Sequence, residues 1–315
     1  MYDFVPGRFY ADPSLRDEPA LSAADRRGMY GALADAMAAL HAVRDPAGLS
    51  PEMAAFGKSE GYVARQLKTW TRQFRAAQLE QREAAAGGAP ALNADMDRLI
   101  DMLPALAPPL PPPGAADAAD AFIVHGDLRM DNVIYRPGDD HRVAAILDWE
   151  LSTLGDTPLL DLAYTTMCYH IPPFADCSVK GFSDLDASAR AKLGLPTERE
   201  YIEAYAAAME ARGRPLRADP HATHKFFVAT SLFKIASILQ GVYTRGVNGN
   251  ASSPLATKLL PTVGQMASTG LRVAEEYAQD QGVQVGSGSA AAAGSIPSTP
   301  VSASSSSSSS SFSSS

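Results

Sequence analysis

Apolar and polar residues recur along this chain mainly with the period of an amphipathic helix. After Ser22, with Asp25 placed to complete a capping box, apolar residues return every three or four positions through residue 40. This spacing predicts a helix with a defined start. The same period predicts further helices over residues 61–76, 96–103, 198–212, 224–246 and 255–279.

Three short runs instead have the β-branched composition of strands: 122–124, 133–135 and 143–147. The segment 136–141, Arg-Pro-Gly-Asp-Asp-His, is a strong turn signal between the last two runs. We therefore expect those two runs to pair as an antiparallel hairpin. The predicted fold class is α+β, mostly α, with a small β-hairpin.

Two segments have a biased composition. Residues 104–119 contain Pro-Pro-Leu-Pro-Pro-Pro, which is typical of a polyproline-like loop within a domain. Residues 282–315 are rich in Ser, Ala and Gly, and offer too little apolar surface to offset the entropy of ordering. We therefore predict one domain over 1–281, followed by a disordered tail over 282–315.

Composition limits the function classes. The net charge of −8 and pI near 5.3 argue against a general nucleic-acid binder. The only cysteines, Cys168 and Cys177, are too few for a disulfide scaffold, which favours an intracellular, reducing setting. The longest apolar region, 226–243, contains Lys234 and Gln240, so we predict a buried helix of a soluble protein and no membrane partner. Cytoplasm is the default compartment; peroxisome and mitochondrion stay open.

Three polar residues surround the predicted hairpin. Asn132 comes just before its first strand and Asp148 just after its second, so antiparallel pairing should bring them within roughly 5 Å. An amide oxygen and a carboxylate suit Mg²⁺, which takes one or two protein oxygens together with phosphates. Asp127, in the preceding loop, should face the same point. Protein kinases carry the same order: His-x-Asp, four residues, Asn, then an Asp after the next strand. Taken singly, each acidic residue is more often a helix cap or turn residue.

Several motifs carry a resemblance to a known family. His-Gly-Asp at 125–127, Asn132, Leu-Asp-Trp-Glu at 147–150, Gly-Asp at 155–156 and Asp-Leu-Ala at 161–163 resemble the aminoglycoside phosphotransferase and choline kinase-like family. In particular, the chain resembles the kinase-like domain fused to acyl-CoA dehydrogenases, family members 10 and 11, from about residue 1 to 275. Three sets of residues support this second resemblance. They are the segment 148–155, the group Gly61-Tyr62, Arg65-Gln66 and Trp70, and the segment Gln-Gly-Val-Tyr at 240–243 followed by Arg245.

The resemblance implies the helical C-terminal lobe of a protein-kinase-like fold, with ATP and Mg²⁺ as cofactors. It makes Asp127 the catalytic base, and Asn132 and Asp148 the Mg²⁺ ligands. It makes Asp161 a buried organiser of the loop. His125 belongs to the same catalytic motif, and we expect it to organise the loop more than to act as a base.

The resemblance also implies a hinge near the start of the chain, where Phe4 and Val5 would contact the nucleotide. Glu150 would support the metal site or bond to backbone. The chain contains no glycine-loop motif or lysine typical of the N-terminal lobe, so we expect that lobe to be missing and turnover to be weak.

The substrate class is the least determined property. The fusion to acyl-CoA dehydrogenases suggests a hydroxylated acyl compound, with Arg65, Tyr243 and Arg245 as substrate candidates. A basic stripe on the 61–76 helix, including Arg65, is either a solvated face or an anion contact. The alternative function is a non-catalytic helical binding module, or a lobe completed by a partner. An acyl-CoA dehydrogenase domain or a chain supplying the N-terminal lobe are the candidate partners.

Overall fold

The computed structural model describes residues 4–84, 93–109, 121–174, 177–251 and 253–283. These residues lie within one compact unit that is mostly helical. Its helices are α1 (Ala23–His41), α2 (Pro51–Ala54), α3 (Tyr62–Ala84), α4 (Ala94–Leu106), α5 (Leu159–Thr166), α6 (Ala187–Leu193), α7 (Glu198–Ala211), α8 (Pro220–Val247) and α9 (Leu260–Asp280). Its strands are β1 (Phe122–Val124), β2 (Val133–Arg136), β3 (Asp139–Ile146) and β4 (Thr153–Gly155).

Local signals set several helix starts. The predicted capping box of α1 is confirmed, because Ser22 and Asp25 bond reciprocally to each other's backbone amides. The helix α8 begins earlier than predicted, at Pro220, where Asp219 caps the first turn and proline suits the first helical position. The helix α9 begins later than predicted, because residues 256–258 form a separate 3₁₀ turn.

The prediction that a loop begins at residue 104 is wrong. Helix α4 continues through Pro104 to Leu106. Met102, Leu103 and Leu106 are buried, so the packing of this last turn outweighs the hydrogen bond that proline removes. Residues 110–119 of the predicted loop, and 284–315 of the predicted disordered tail, lie outside the described residues.

The strands form two small antiparallel pairs. The predicted hairpin is confirmed: β2 pairs with β3, Val133 opposite Ile146, around a two-residue turn that contains Gly138 with φ +73°. Strand β1 pairs with β4, which was not predicted. The first described residues also reach the hairpin, because Arg8 and Tyr135 exchange both backbone hydrogen bonds.

Helix α8 is the centre of the helical core. Its aromatic residues Phe226 and Phe227 are fully buried, and Phe226 packs against Tyr277 of α9. By length and composition α8 could cross a membrane, but 78% of its apolar window is buried within the protein. The sequence prediction of a buried core helix therefore describes it correctly.

Candidate functional site

The loop after β1 is anchored by a buried carboxylate on α5. The carboxylate of Asp161 accepts hydrogen bonds from the backbone amides of His125 (2.6 Å) and Gly126 (2.8 Å). Its Oδ2 also lies 3.1 Å from Nε2 of His41. Burial alone would raise the pKa of Asp161. The hydrogen bond and charge of His41, with the two amides, outweigh burial and hold the pKa below its ordinary value. Asp161 is therefore an ionised anchor.

Both ring nitrogens of His125 are bonded to backbone. The amide of Asp127 donates to Nδ1 (3.2 Å), so Nε2 carries the proton and donates to the carbonyl of Leu147 (2.8 Å). The ring packs edge-on against Trp149. This arrangement links the loop to the end of β3 and leaves His125 no free nitrogen for proton transfer. A base role for His125 is thus disfavoured, and the expected organising role fits its contacts.

Asp127 is held at its backbone, and one oxygen of its side chain has no hydrogen bond among the described residues. Its carbonyl accepts from Nδ2 of Asn132 (2.8 Å). Its carboxylate oxygen Oδ1 is buried and has no hydrogen-bond partner among the described residues, although Nη1 of Arg129 lies 3.4 Å away as an ion pair. A buried carboxylate oxygen without a hydrogen bond is costly, unless a ligand or water completes it. It is therefore suited to accept a hydrogen bond from a bound hydroxyl.

The open end of the hairpin places the backbone of Asn132 beside that of Leu147, the residue before Asp148. The separation of about 5 Å between the Asn132 and Asp148 side chains stays a prediction. The amide of Leu147 donates to the carbonyl of Asn132 (2.8 Å), and Asp148 follows directly. Asp148 has φ +64°, a left-handed conformation that is uncommon outside glycine, and its side chain does not cap the following 3₁₀ turn. Neither a cap nor a hydrogen bond from that turn therefore occupies its carboxylate, which is exposed.

These residues fit a Mg²⁺–phosphate complex better than a self-contained metal site. In the part of the chain that the structure describes, no three His, Cys, Asp or Glu side chains converge to hold a metal alone. Because Asn132 uses Nδ2 as a donor, its Oδ1 is available to a ligand, as is the uncapped carboxylate of Asp148. One amide oxygen and one carboxylate match what Mg²⁺ takes from protein when phosphates supply the rest.

The chain matches a known protein family. The Phosphotransferase enzyme family matches residues 1–216. The chain belongs to this family. A Ralstonia eutropha crystal structure classed with the aminoglycoside phosphotransferases is 35% identical, with a TM-score of 0.67. That alignment covers 87% of this chain and 72% of the other.

Curated relatives are larger proteins. Mouse acyl-CoA dehydrogenase family member 10 is 36% identical over 285 residues, which are 90% of this chain and 23% of the relative. Human acyl-CoA dehydrogenase family member 11 is 32% identical over 274 residues, 87% of this chain and 30% of the relative. The chain thus spans less than a third of these relatives, and the predicted resemblance to both is confirmed.

The remaining predicted residues of this phosphotransferase-family chain lie at separate places. Phe4 is 89% exposed and Val5 is half-buried, a few residues before Arg8, which pairs with the hairpin. Glu150 is exposed on the turn after Asp148. Asp156, by contrast, accepts a hydrogen bond from the backbone amide of Gly61 at 2.7 Å.

The three substrate candidates lie on two different helices, α3 and α8. Arg65 lies in the first turn of α3 and donates to the carbonyl of Lys58. Tyr243 and Arg245 flank Thr244, which bonds the carbonyl of Ala77. Twelve residues separate Ala77 from Arg65, about 18 Å along a helix. Contact with all three would therefore need an extended acceptor, and their substrate role stays a prediction.

Three residues that build the site carry no motif among those singled out in the sequence. His41 binds Asp161, Arg129 pairs with Asp127, and Lys234 donates to the carbonyl of Gly126. Arg129 stands two residues after Asp127, so its position in the motif was a usable signal. His41 lies 120 residues from Asp161 in the sequence, and Lys234 lies 108 residues from Gly126. No local sequence pattern therefore indicates either contact.

We expect Asp161→Asn to destabilise the protein by about 3–5 kcal/mol, since it removes the charge from a buried pair and puts an amide donor against backbone donors. Urea unfolding measures this loss. Asp35→Asn is the matched control, because Asp35 pairs with Arg212 at the surface and its loss should cost at most ~1 kcal/mol. Equal losses in the two variants would contradict the anchoring role.

Proposed function

We propose that the chain is an ATP- and Mg²⁺-dependent phosphotransferase that acts on a hydroxyl of a small molecule. The observation that carries this proposal is the carboxylate of Asp127. It stands on a loop whose backbone is hydrogen-bonded to Asp161 and His125, and its Oδ1 has no hydrogen bond among the described residues. The loop adjoins the end of the hairpin, because Nδ2 of Asn132 donates to the carbonyl of Asp127. Membership in the phosphotransferase family supports the reaction class.

Phosphoryl transfer depends mainly on positioning and on neutralising charge. Asp127 would orient the acceptor hydroxyl and take its proton. The ion pair with Arg129, 3.4 Å away, would hold the carboxylate in place for this role. Burial, followed by the charge of Asp127, raises the pKa of Tyr164 well above its ordinary value, so the neighbouring phenol does not compete as a base.

Asn132 and Asp148 would hold Mg²⁺, whose role when bound is to neutralise charge on the phosphates. Phe4 and Val5 would contact the nucleotide, because their segment lies along β2 through the Arg8–Tyr135 pairing. His125 would position the loop, because its Nδ1 accepts a hydrogen bond from the backbone amide of Asp127.

A hydroxylated acyl compound is the acceptor class that we favour. The support is the naming of the curated relatives as acyl-CoA dehydrogenase family members. The exposed cations Lys68 and Arg72 extend from Arg65 along α3 and suit an anionic acceptor. Arg75 lies further along the same stripe, but its charge is already paired with that of Asp97.

A lobe completed by a partner chain is the second candidate. Phe4 and Phe9 are 89% and 67% exposed, on either side of Arg8 in the sequence. Exposed apolar surface of this kind is commonly covered by another protein. An acyl-CoA dehydrogenase domain, or a chain carrying an N-terminal lobe, would be such a partner.

An assay with γ-labelled ATP tests the reaction class and the acceptor. It measures transfer of the label to hydroxy fatty acids, hydroxyacyl-CoA thioesters and an aminoglycoside. We expect Asp127→Asn to lower kcat by about 10²–10⁴-fold, the usual contribution of a positioned base. Asp184→Asn, which affects only a surface pair with Arg16, is the control. A wild-type chain that phosphorylates none of these acceptors, or an Asp127→Asn variant as fast as wild type, would refute the proposal.

Nucleotide binding is tested separately from turnover. Mg²⁺-ATP at ten times its Kd should raise the free energy of unfolding by about 1.4 kcal/mol. Asp148→Ala should abolish the Mg²⁺-dependent part, while Glu150→Ala, on the same exposed turn, should keep it. Stabilisation in the absence of transfer would favour the partner-completed lobe over a complete enzyme. Stabilisation that survives Asp148→Ala would contradict the assigned metal site.

A further inference from the structure

A lysine lies buried behind the candidate catalytic loop. Lys234, in the middle of α8, is only 3% exposed. Buried lysines are rare unless their charge is paired or hydrogen-bonded, because desolvating an ammonium group is costly. The phosphotransferase function proposed above does not use this residue.

Its ammonium group contacts the loop and two aromatic rings. Nζ donates a hydrogen bond to the carbonyl of Gly126. It lies 4.5 Å from the ring centroid of Tyr164 and 5.4 Å from that of Trp70, distances at which a cation and an aromatic face attract. The two rings compensate in part for the hydration that the ammonium group has lost.

Burial lowers the pKa of Lys234 to about 8, and the charges of Asp127 and Asp161 oppose that shift. The ammonium form therefore predominates at neutral pH. The nearby negative charges are the candidate base itself and the carboxylate that anchors the loop. Arg129 is the other cation that acts on Lys234, and it lowers the pKa further.

The carbonyl that Lys234 holds belongs to the peptide group between Gly126 and Asp127. The amide of Gly126 is already held by Asp161 (2.8 Å). Gly126 has φ +83°, and a Cβ there would lie 2.6 Å from the carbonyl oxygen of Leu151. A carboxylate on one side and an ammonium group on the other thus hold the two peptide groups that flank a glycine, where the backbone would otherwise rotate easily.

We propose that Lys234 is a positioning residue that fixes the Gly126–Asp127 peptide group and thereby the carboxylate of Asp127. This rests on the phosphotransferase function proposed above. Lys234 touches no reacting atom, since its ammonium group is enclosed by Gly126, Tyr164 and Trp70. Without it, the carbonyl of Gly126 is left buried and unpaired, and the peptide group rotates to find another donor.

The test compares Lys234→Met, which keeps the length but removes donor and charge, with Lys225→Met. Lys225 lies at the surface of the same helix, where it pairs with Asp280. Amide hydrogen exchange by NMR gives the first measurement. In Lys234→Met we expect the amides of Gly126 and Asp127 to exchange at least about tenfold faster relative to those of α9, with no such change in the control.

Kinetics give the second measurement, with ATP and whichever acceptor from the panel above is phosphorylated. Misplacing a reacting group by about 1 Å can cost on the order of 100-fold in rate. We therefore expect kcat to fall by about that factor in Lys234→Met, with KM for ATP within about twofold. Lys234→Arg, which keeps a cationic donor, should recover part of kcat.

Wild-type exchange at Gly126 and Asp127 in Lys234→Met would overturn the proposal, as would an unchanged kcat. Should that variant fail to fold, Lys234→Gln takes its place, because its neutral amide is polar but one bond too short to reach the carbonyl. Wild-type exchange at Gly126 and Asp127, or an unchanged kcat, would overturn the proposal for Lys234→Gln as well. A wild-type chain that transfers no phosphate refutes the proposed function alone, and the exchange rates still decide whether Lys234 holds the loop.

Discussion

The candidate site depends on one buried carboxylate. Asp161 is fully buried on α5 and binds two successive amides of the loop after β1. An ionised group in such a place is stable only when its hydrogen bonds are complete, and His41 supplies the remaining partner. The helical core therefore determines where the loop lies, and the loop determines where Asp127 lies.

The rest of the loop is bonded by side chains from other elements. His125 reaches the end of β3, Asn132 holds the carbonyl of Asp127, and Lys234 holds that of Gly126. Polar networks of this kind gain from a low dielectric when every member is satisfied. The exception is a carboxylate oxygen of Asp127. An unsatisfied atom within an otherwise satisfied network is where a ligand is expected to bind.

Local signals in the sequence predicted much of this arrangement. The turn at 136–141 predicted the hairpin, and the hairpin in turn brought Asn132 and Asp148 to one end. Strand β4 was missed because its three residues carry no run of β-branched residues and gain their structure by pairing with β1. His41 and Lys234 were missed for a related reason: each reaches the loop only after distant helices have packed, so neither spacing nor periodicity marks it.

The ionisation of Asp161 can be measured by ¹³C NMR of its carboxyl carbon across a pH titration of the folded protein. An ionised anchor held by His41 and two amides has a pKa below the ordinary value, so no titration step should occur between about pH 4 and pH 8. A step within that range would show that burial outweighs these partners and that Asp161 is protonated. The loop would then lack its ionic anchor, and the placement of Asp127 would require another explanation.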